Sequence, residues 1–195
     1  MRETYKHWMK GIALLCIFTL AFFSLPLLAH ADAIEGTTVI TLGANLTEEQ
    51  KAAILAEMNA PEDVEILYVT NEEEHHYLGN YISKETIGTR ALSSAKITLT
   101  PEGSGISIEI NNTSWMTAEM YQNALVTAGI EDADIYVTAP IRVSGTAALT
   151  GMIKAFEVAT DQIIPEEQKQ VANEEMIRTA ELANKIGTKE AVELI

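Results

Sequence analysis

The chain has 195 residues, 47% of them hydrophobic, and a formal net charge of −15. That length suits one domain with an appendage, and the apolar fraction suffices for a packed core rather than a disordered tail. The charge excludes nucleic acid as an expected partner, because phosphate binding needs a basic footprint.

Arg2, Lys6 and Lys10 form a basic start, Gly11 to Leu28 is mostly apolar, and Ala29-His30-Ala31 is a small-x-small site. These features read as a signal peptide over residues 1–31, cut after Ala31 or, as second choice, after Ala33. Ser24 and Pro26 near the end of the run argue against a retained anchor. The expected location is therefore extracellular or envelope-associated, with the membrane met only through this leader before cleavage. Cys16 is the one cysteine and lies inside the apolar run. It leaves with the leader, so the mature chain is expected to be cysteine-free, without disulfides, thiol catalysis or cysteine metal sites.

Thr37 to Leu42 is rich in β-branched residues and reads as a strand. Thr47-Glu48-Glu49-Gln50 is a capping box opening a helix to about Asn59, with Lys51, Ile54, Leu55 and Met58 on one face. Pro61 ends it, and Val64 to Val69 is a second strand. Thr70 and Glu73 form another capping box, for a short helix through Tyr77. Ala91 to Thr100 and Ile106 to Ile110 read as strands joined by the turn residues Pro101 to Gly105, which predicts a hairpin. Thr117 caps a helix to Ala128, burying Tyr121, Ala124, Leu125 and Ala128. Asp134 to Thr138 is a strand. A helix from about Thr146 to Val158 buries Leu149, Met152, Ile153 and Phe156. A long polar helix spans roughly Pro165 to Ile186, and Thr188 starts one more turn or two.

Gly88-Thr89-Arg90-Ala91-Leu92-Ser93 is echoed by Gly145-Thr146-Ala147-Ala148-Leu149-Thr150. Earlier blocks match in the same order: Thr47 with Thr117, Leu55 with Leu125, Glu62 to Ile66 with Glu131 to Ile135, and Tyr68-Val69-Thr70 with Tyr136-Val137-Thr138. The expected fold class is α/β: a mixed sheet built from two pseudo-repeated helix-strand units, with right-handed parallel connections and a C-terminal helical extension. Residues 32–160 form the duplicated domain and 161–195 the C-terminal helical segment.

VTNEEE at Val69 to Glu74, IGTRALSSA at Ile87 to Ala95, EGSGI at Glu102 to Ile106 and TAEMYQNALVTAGI at Thr117 to Ile130 carry a resemblance. VSGTAALTG at Val143 to Gly151 and FEVAT at Phe156 to Thr160 add to it. Together they resemble the YpuA-like family of secreted proteins from Gram-positive spore-forming bacteria, domain of unknown function 1002. The resemblance implies export, with no established activity, substrate or cofactor, and it carries no catalytic residues over. Members generally continue with more helical sequence past Ile195, and the His75-His76 pair stands where mostly basic residues are expected.

Catalytic patterns are fragmentary. Ser93-x-x-Lys96 has the acylation spacing of penicillin-recognising enzymes, but on a strand i and i+3 point to opposite faces. Glu72 with His75 or His76 has ligand spacing on a helix, yet two or three ligands on one turn do not close a zinc site. No catalytic residue, metal ligand or cofactor is assigned. The candidate binding residues are those of the two copies: Gly88, Thr89, Arg90, Ser93 and Ser94, and Arg142, Ser144, Gly145 and Thr146. Gly145-Thr146 opens a helix, whose free N–H groups, with the Ser144 and Thr146 hydroxyls and Arg142, predict a positive, anion- or carbonyl-binding corner. Capping and close packing alone also explain these residue types. Tyr81 and Trp115 are aromatic residues available to flank a glycan.

The expected function is that of a secreted, non-enzymatic binding or adaptor protein for a wall fragment or another exported protein. The alternative is a hydrolase acting on an envelope polymer through a carboxylate pair such as Glu72/Glu73 or Glu131/Asp132.

Overall fold

A computed structural model describes residues 35–186. The leader and the turns expected from Thr188 onward lie outside the described residues. The elements run β1 (Thr38–Gly43), α1 (Glu48–Glu57), β2 (Glu65–Val69), α2 (Asn71–Leu78), α3 (Lys84–Ile87), β3 (Ser94–Leu99), β4 (Ile106–Ile110), α4 (Ala118–Thr127), β5 (Ala133–Thr138), α5 (Thr146–Thr160) and α6 (Glu166–Ile186).

The caps behave as their chemistry dictates. Thr47 and Thr70 each close a full capping box, with Gln50 and Glu73 reaching back to the cap N–H. Thr117 accepts from Met120 N at 3.3 Å. Each cap pairs helical donors that would otherwise have no intrahelical acceptor.

The five strands form one mixed sheet in the order β2-β1-β3-β5-β4. β1 and β2 pair in parallel, as do β4 and β5; β3 lies antiparallel between β1 and β5. The expected β3–β4 hairpin does not form. The chain does reverse at Pro101 to Gly105, but β5 inserts between the two strands, pairing Ile97 with Ile135 and Ile108 with Ile135. Burial explains the exchange. β5 buries Ala133, Ile135, Val137 and Thr138, whereas β4 alternates half-buried isoleucines with exposed Ser107 and Glu109. The more apolar strand takes the interior position and the half-polar one the edge.

Ile40, Leu42, Ile66 and Tyr136 share one face, where Ile54 of α1 and its C-cap residue Met58 pack. Val39, Ala95, Ile97, Ile135 and Val137 share the other, under α4 and α5, with Ala172, Met176 and Ile177 of α6 joining the same core. Both parallel crossovers, β1-α1-β2 and β4-α4-β5, step the same way across the sheet, but their helices lie on opposite faces. The two crossovers are therefore of opposite hand, and one of them breaks the right-handed preference. The two units also differ in destination, since β2 ends at the sheet edge and β5 in its interior. The sequence echo thus does not extend to two superposable halves.

Helix α5 is buried over most of its circumference and lies across β1, β2 and β3. Gly151 permits that approach: a Cβ there would lie 2.9 Å from Thr41 Cβ and 3.2 Å from Val69 Cγ2. The contact fixes where the N-terminus of α5 arrives, and the candidate site lies there.

Candidate functional site

A pocket of about 250 Å³ opens where α2, α3, the segment leading into β3 and the N-terminus of α5 meet. Its lining brings the two Gly-Thr copies together: Gly88, Thr89, Arg90 and Ser93 from the first, Ser144 and Thr146 from the second. To these it adds Glu74, a residue that sequence reasoning did not single out.

Helix α2 places Glu74. The Thr70 capping box fixes the first turn, with Glu73 N donating to Thr70 Oγ1 at 3.1 Å and Thr70 N to Glu73 Oε2 at 2.8 Å. That register turns Glu74 and Leu78, one helical turn apart, into the protein. The i, i+4 relation to Leu78 was the available signal, masked by the run Glu72-Glu73-Glu74, which reads as a solvated first turn. The three glutamates meet three environments. Glu72 is exposed, Glu73 closes the cap and pairs with Lys154 at 2.8 Å, and Glu74 is 1% exposed.

The Glu74 carboxyl accepts from Thr146 Oγ1 at 2.7 Å and from Asn71 Nδ2 at 3.0 Å. Ser144 Oγ lies 3.1 Å from Thr146 Oγ1. Because the Thr146 proton points to Glu74, Ser144 donates to Thr146, giving a chain of two hydroxyls ending on the carboxyl. Burial raises the pKa of Glu74 above its ordinary value, opposed by the bonds from Asn71 and Thr146 and by nearby His75. Among the described residues Glu74 forms no ion pair. The contrast lies close by. A cavity of about 160 Å³ lined by α2, α5 and α6 also carries carboxylates, but there Lys154 pairs with Glu73 and Lys169 with Glu157, both at 2.8 Å.

The pocket wall is held by the same helix. Asn71 Nδ2 donates to Gly88 O at 3.3 Å, and His75 Nε2 lies 3.0 Å from that carbonyl. Beyond Gly88, Thr89 and Arg90 are exposed at the mouth, and Ile141 is 52% exposed on the facing rim.

The positive corner expected at Gly145-Thr146 is corrected on two counts. First, the α5 N-terminus is buried, and its cap residue Gly145 makes no side-chain cap bond. The N–H of Ala148 donates instead to Ser93 Oγ at 2.9 Å, so the first copy caps the helix of the second. Second, Thr146 turns its hydroxyl to Glu74, which makes the floor acidic. Gly145 serves the backbone: at φ 100° it sits in a region that favours glycine, and its carbonyl accepts from the buried Tyr121 hydroxyl at 2.8 Å. Burial pushes the Tyr121 phenol far above its usual pKa, so it stays a donor.

Ser94 and Arg142 are not part of the pocket lining. Ser94 is buried and its Oγ accepts from Gly43 N at 3.3 Å, which ties β3 to β1. Arg142 is exposed. Ser93 and Lys96 do point to opposite faces: Ser93 meets α5, and Lys96 Nζ donates to Met58 O at 2.6 Å across the sheet. His76 packs edge-on against Tyr77. Among the described residues no group of three or more His, Cys, Asp or Glu side chains is placed to hold a metal ion. Tyr81 and Trp115 are partly buried against the main core.

One member of each carboxylate pair named for hydrolysis is held by a structural partner. Asp132 Oδ1 accepts from Gly105 N at 2.7 Å, and Glu73 is bound as above. A wider groove of about 590 Å³ runs over the uncovered half of the sheet and contains Glu57, Glu109 and Asp134, all exposed. Desolvation raises Glu57, but bonds from Asn111, Tyr136 and Thr138 outweigh it and leave its pKa below the ordinary value.

The fold and the site together define a mixed-sheet α/β protein with a small polar pocket built around a buried carboxyl that has no ion-pair partner among the described residues. Residues 42–195 match the family described as Protein of unknown function (DUF1002), and the chain belongs to that family. It is similar to a protein of Bacillus subtilis (strain 168) described as Uncharacterized protein YpuA, with 54% identity over 170 residues, 87% of this chain and 59% of that relative. The chain therefore spans less than two thirds of that relative's length. No solved structure matches the chain.

Proposed function

We propose that this is an exported, non-enzymatic binding or adaptor protein whose pocket between α2, α3 and α5 engages a wall fragment or a segment of another exported protein. The observation that carries the reading is the convergence of both Gly-Thr copies on one cavity around Glu74. Packing alone does not call for a buried carboxyl without a cation, since burying a charge is unfavourable unless it is paired. Groups that weaken a fold are commonly retained at sites of function. The basic, apolar and Ala-x-Ala leader supports export.

Hydrolysis is the weaker reading. Glycoside hydrolysis normally needs two carboxyls flanking the bond, and Glu74 is the one carboxyl in the pocket lining. The test is retention of the mature chain on isolated cell walls, with Arg90→Ala and Thr89→Val at the exposed mouth. The reading expects retention by the wild type and its loss in the double variant at unchanged melting temperature. Equal retention of both removes the pocket from the function.

A further inference from the structure

The ligand's chemical class follows from what the pocket offers, given the binding role proposed above. Glu74 lies on the floor, and both of its observed hydrogen bonds come from neutral groups, Thr146 and Asn71. Each carboxylate oxygen has two lone pairs, so one hydrogen bond on each leaves acceptor capacity unused. A simple anion fits poorly, since it would meet that carboxyl. A bare metal ion fits poorly too, with a single carboxyl in the lining and no further ligand cluster among the described residues. At the mouth stands Arg90, exposed and in no ion pair among the described residues. Its planar fork suits a carboxylate. The same lining carries Ser93, Ser144 and the exposed side chain of Ile141.

We propose that the pocket binds a small zwitterion, with a ligand ammonium on Glu74 and a ligand carboxylate on Arg90, as in a free amino acid or a short peptide carrying both termini. A volume of about 250 Å³ lies just below the ~300–1,000 Å³ usual for drug-sized ligands. That limits the occupant to a fragment of about two residues. The floor carboxyl recognises the amine, the rim guanidinium recognises the acid, and Ile141 covers a small apolar side chain.

Calorimetry on the mature chain tests this with four probes: alanylalanine, its N-acetyl derivative, its C-terminal amide, and N-acetylglucosamine as a neutral polar control. The expected result is binding of alanylalanine, with a loss of about tenfold or more on capping either end, the usual scale for a charge-assisted hydrogen bond. Arg90→Ala at the exposed rim should erase the preference for the free acid over the amide. Glu74→Gln should erase the preference for the free amine over the acetylated form. The comparison of probes on the wild type holds even if Glu74→Gln does not fold. Equal affinity for the capped and free dipeptides, or binding of N-acetylglucosamine alone, overturns the zwitterion while leaving a binding pocket in place. Binding of none of the four also overturns it, and cell-wall retention then decides the broader reading separately.

Discussion

Removing the Ser93 hydroxyl isolates the contact that joins the two Gly-Thr copies. In Ser93→Ala the N–H of Ala148, in the first turn of α5, loses its acceptor at 2.9 Å. Ser93 is 3% exposed and Ala148 fully buried, so the Ala148 N–H is left in a site shielded from bulk water. Leaving a buried donor unpaired costs ~1–3 kcal/mol, against ~0.5–2 kcal/mol for losing an ordinary cap. Part of that is returned because the alanine no longer buries a hydroxyl, so a loss of about 1–2 kcal/mol is expected. For a domain of about 150 residues that lowers the melting temperature by ~2–8 °C. Urea denaturation should show a shifted midpoint at an unchanged slope, meaning lost stability without a change in compactness. Ser144→Ala is the companion variant: its hydroxyl is half-buried and only donates to Thr146, so it should cost less. A Ser93→Ala chain within ~0.5 kcal/mol of wild type, or a Ser144→Ala loss exceeding it, would refute capping in trans and restore the local cap that the sequence suggested.

Glu74→Gln should show a pH-dependent difference from wild type. The Glu74 pKa is raised by burial, so the fold favours the protonated form. Its stabilising contribution is full below the ordinary carboxylate range and is lost as the pH rises through the folded value. Urea midpoints at pH 4 and pH 7 should therefore move in favour of the glutamine variant at the higher pH, and parallel profiles would contradict the burial of an ionisable carboxyl. Gly151→Ala should destabilise by ~1–3 kcal/mol through overpacking against Thr41 and Val69, outweighing the ~1 kcal/mol gain in helix propensity; a stabilised variant in a thermal melt would show that α5 has room to move. Tyr121→Phe should cost ~1–2 kcal/mol by freeing the buried Gly145 carbonyl, and an unchanged melting temperature would show that this bond does not hold the α5 entry.

Local chemistry was legible and non-local pairing was not. Thr47, Thr70 and Thr117 announce their helices because a cap is a contract among residues three apart. Pro101 to Gly105 announces a reversal, and the chain does reverse there. Nothing within the turn says that β5, from some thirty residues on, displaces β4 from the partner it would otherwise have. The signal was in composition: Ala133, Ile135 and Val137 suit an interior strand better than Ile106 to Ile110 with Ser107 and Glu109 between. The echo of Gly88-Thr89 in Gly145-Thr146 marked two segments that the fold brings together, but the charge expected there was read from the arginines. Arg142 is exposed outside the pocket lining, and the charge on the floor comes from α2, a helix whose acidic start resembles a solvated one.

The bonds that build the pocket floor span long stretches of chain: Thr146 to Glu74 across 72 residues, and Ala148 to Ser93 across 55. No fragment ending before α5 contains both sides of either bond, and contacts of such separation cost loop-closure entropy and slow folding. The site is therefore a property of the finished fold alone, absent from any partly folded chain. A ligand for it can bind only the native state, and at one hundred times its dissociation constant it adds ~2.7 kcal/mol to stability. At ~2–4 °C per kcal/mol that is a rise of ~5–11 °C, so the melting curve of the whole domain reports which small molecules reach Glu74.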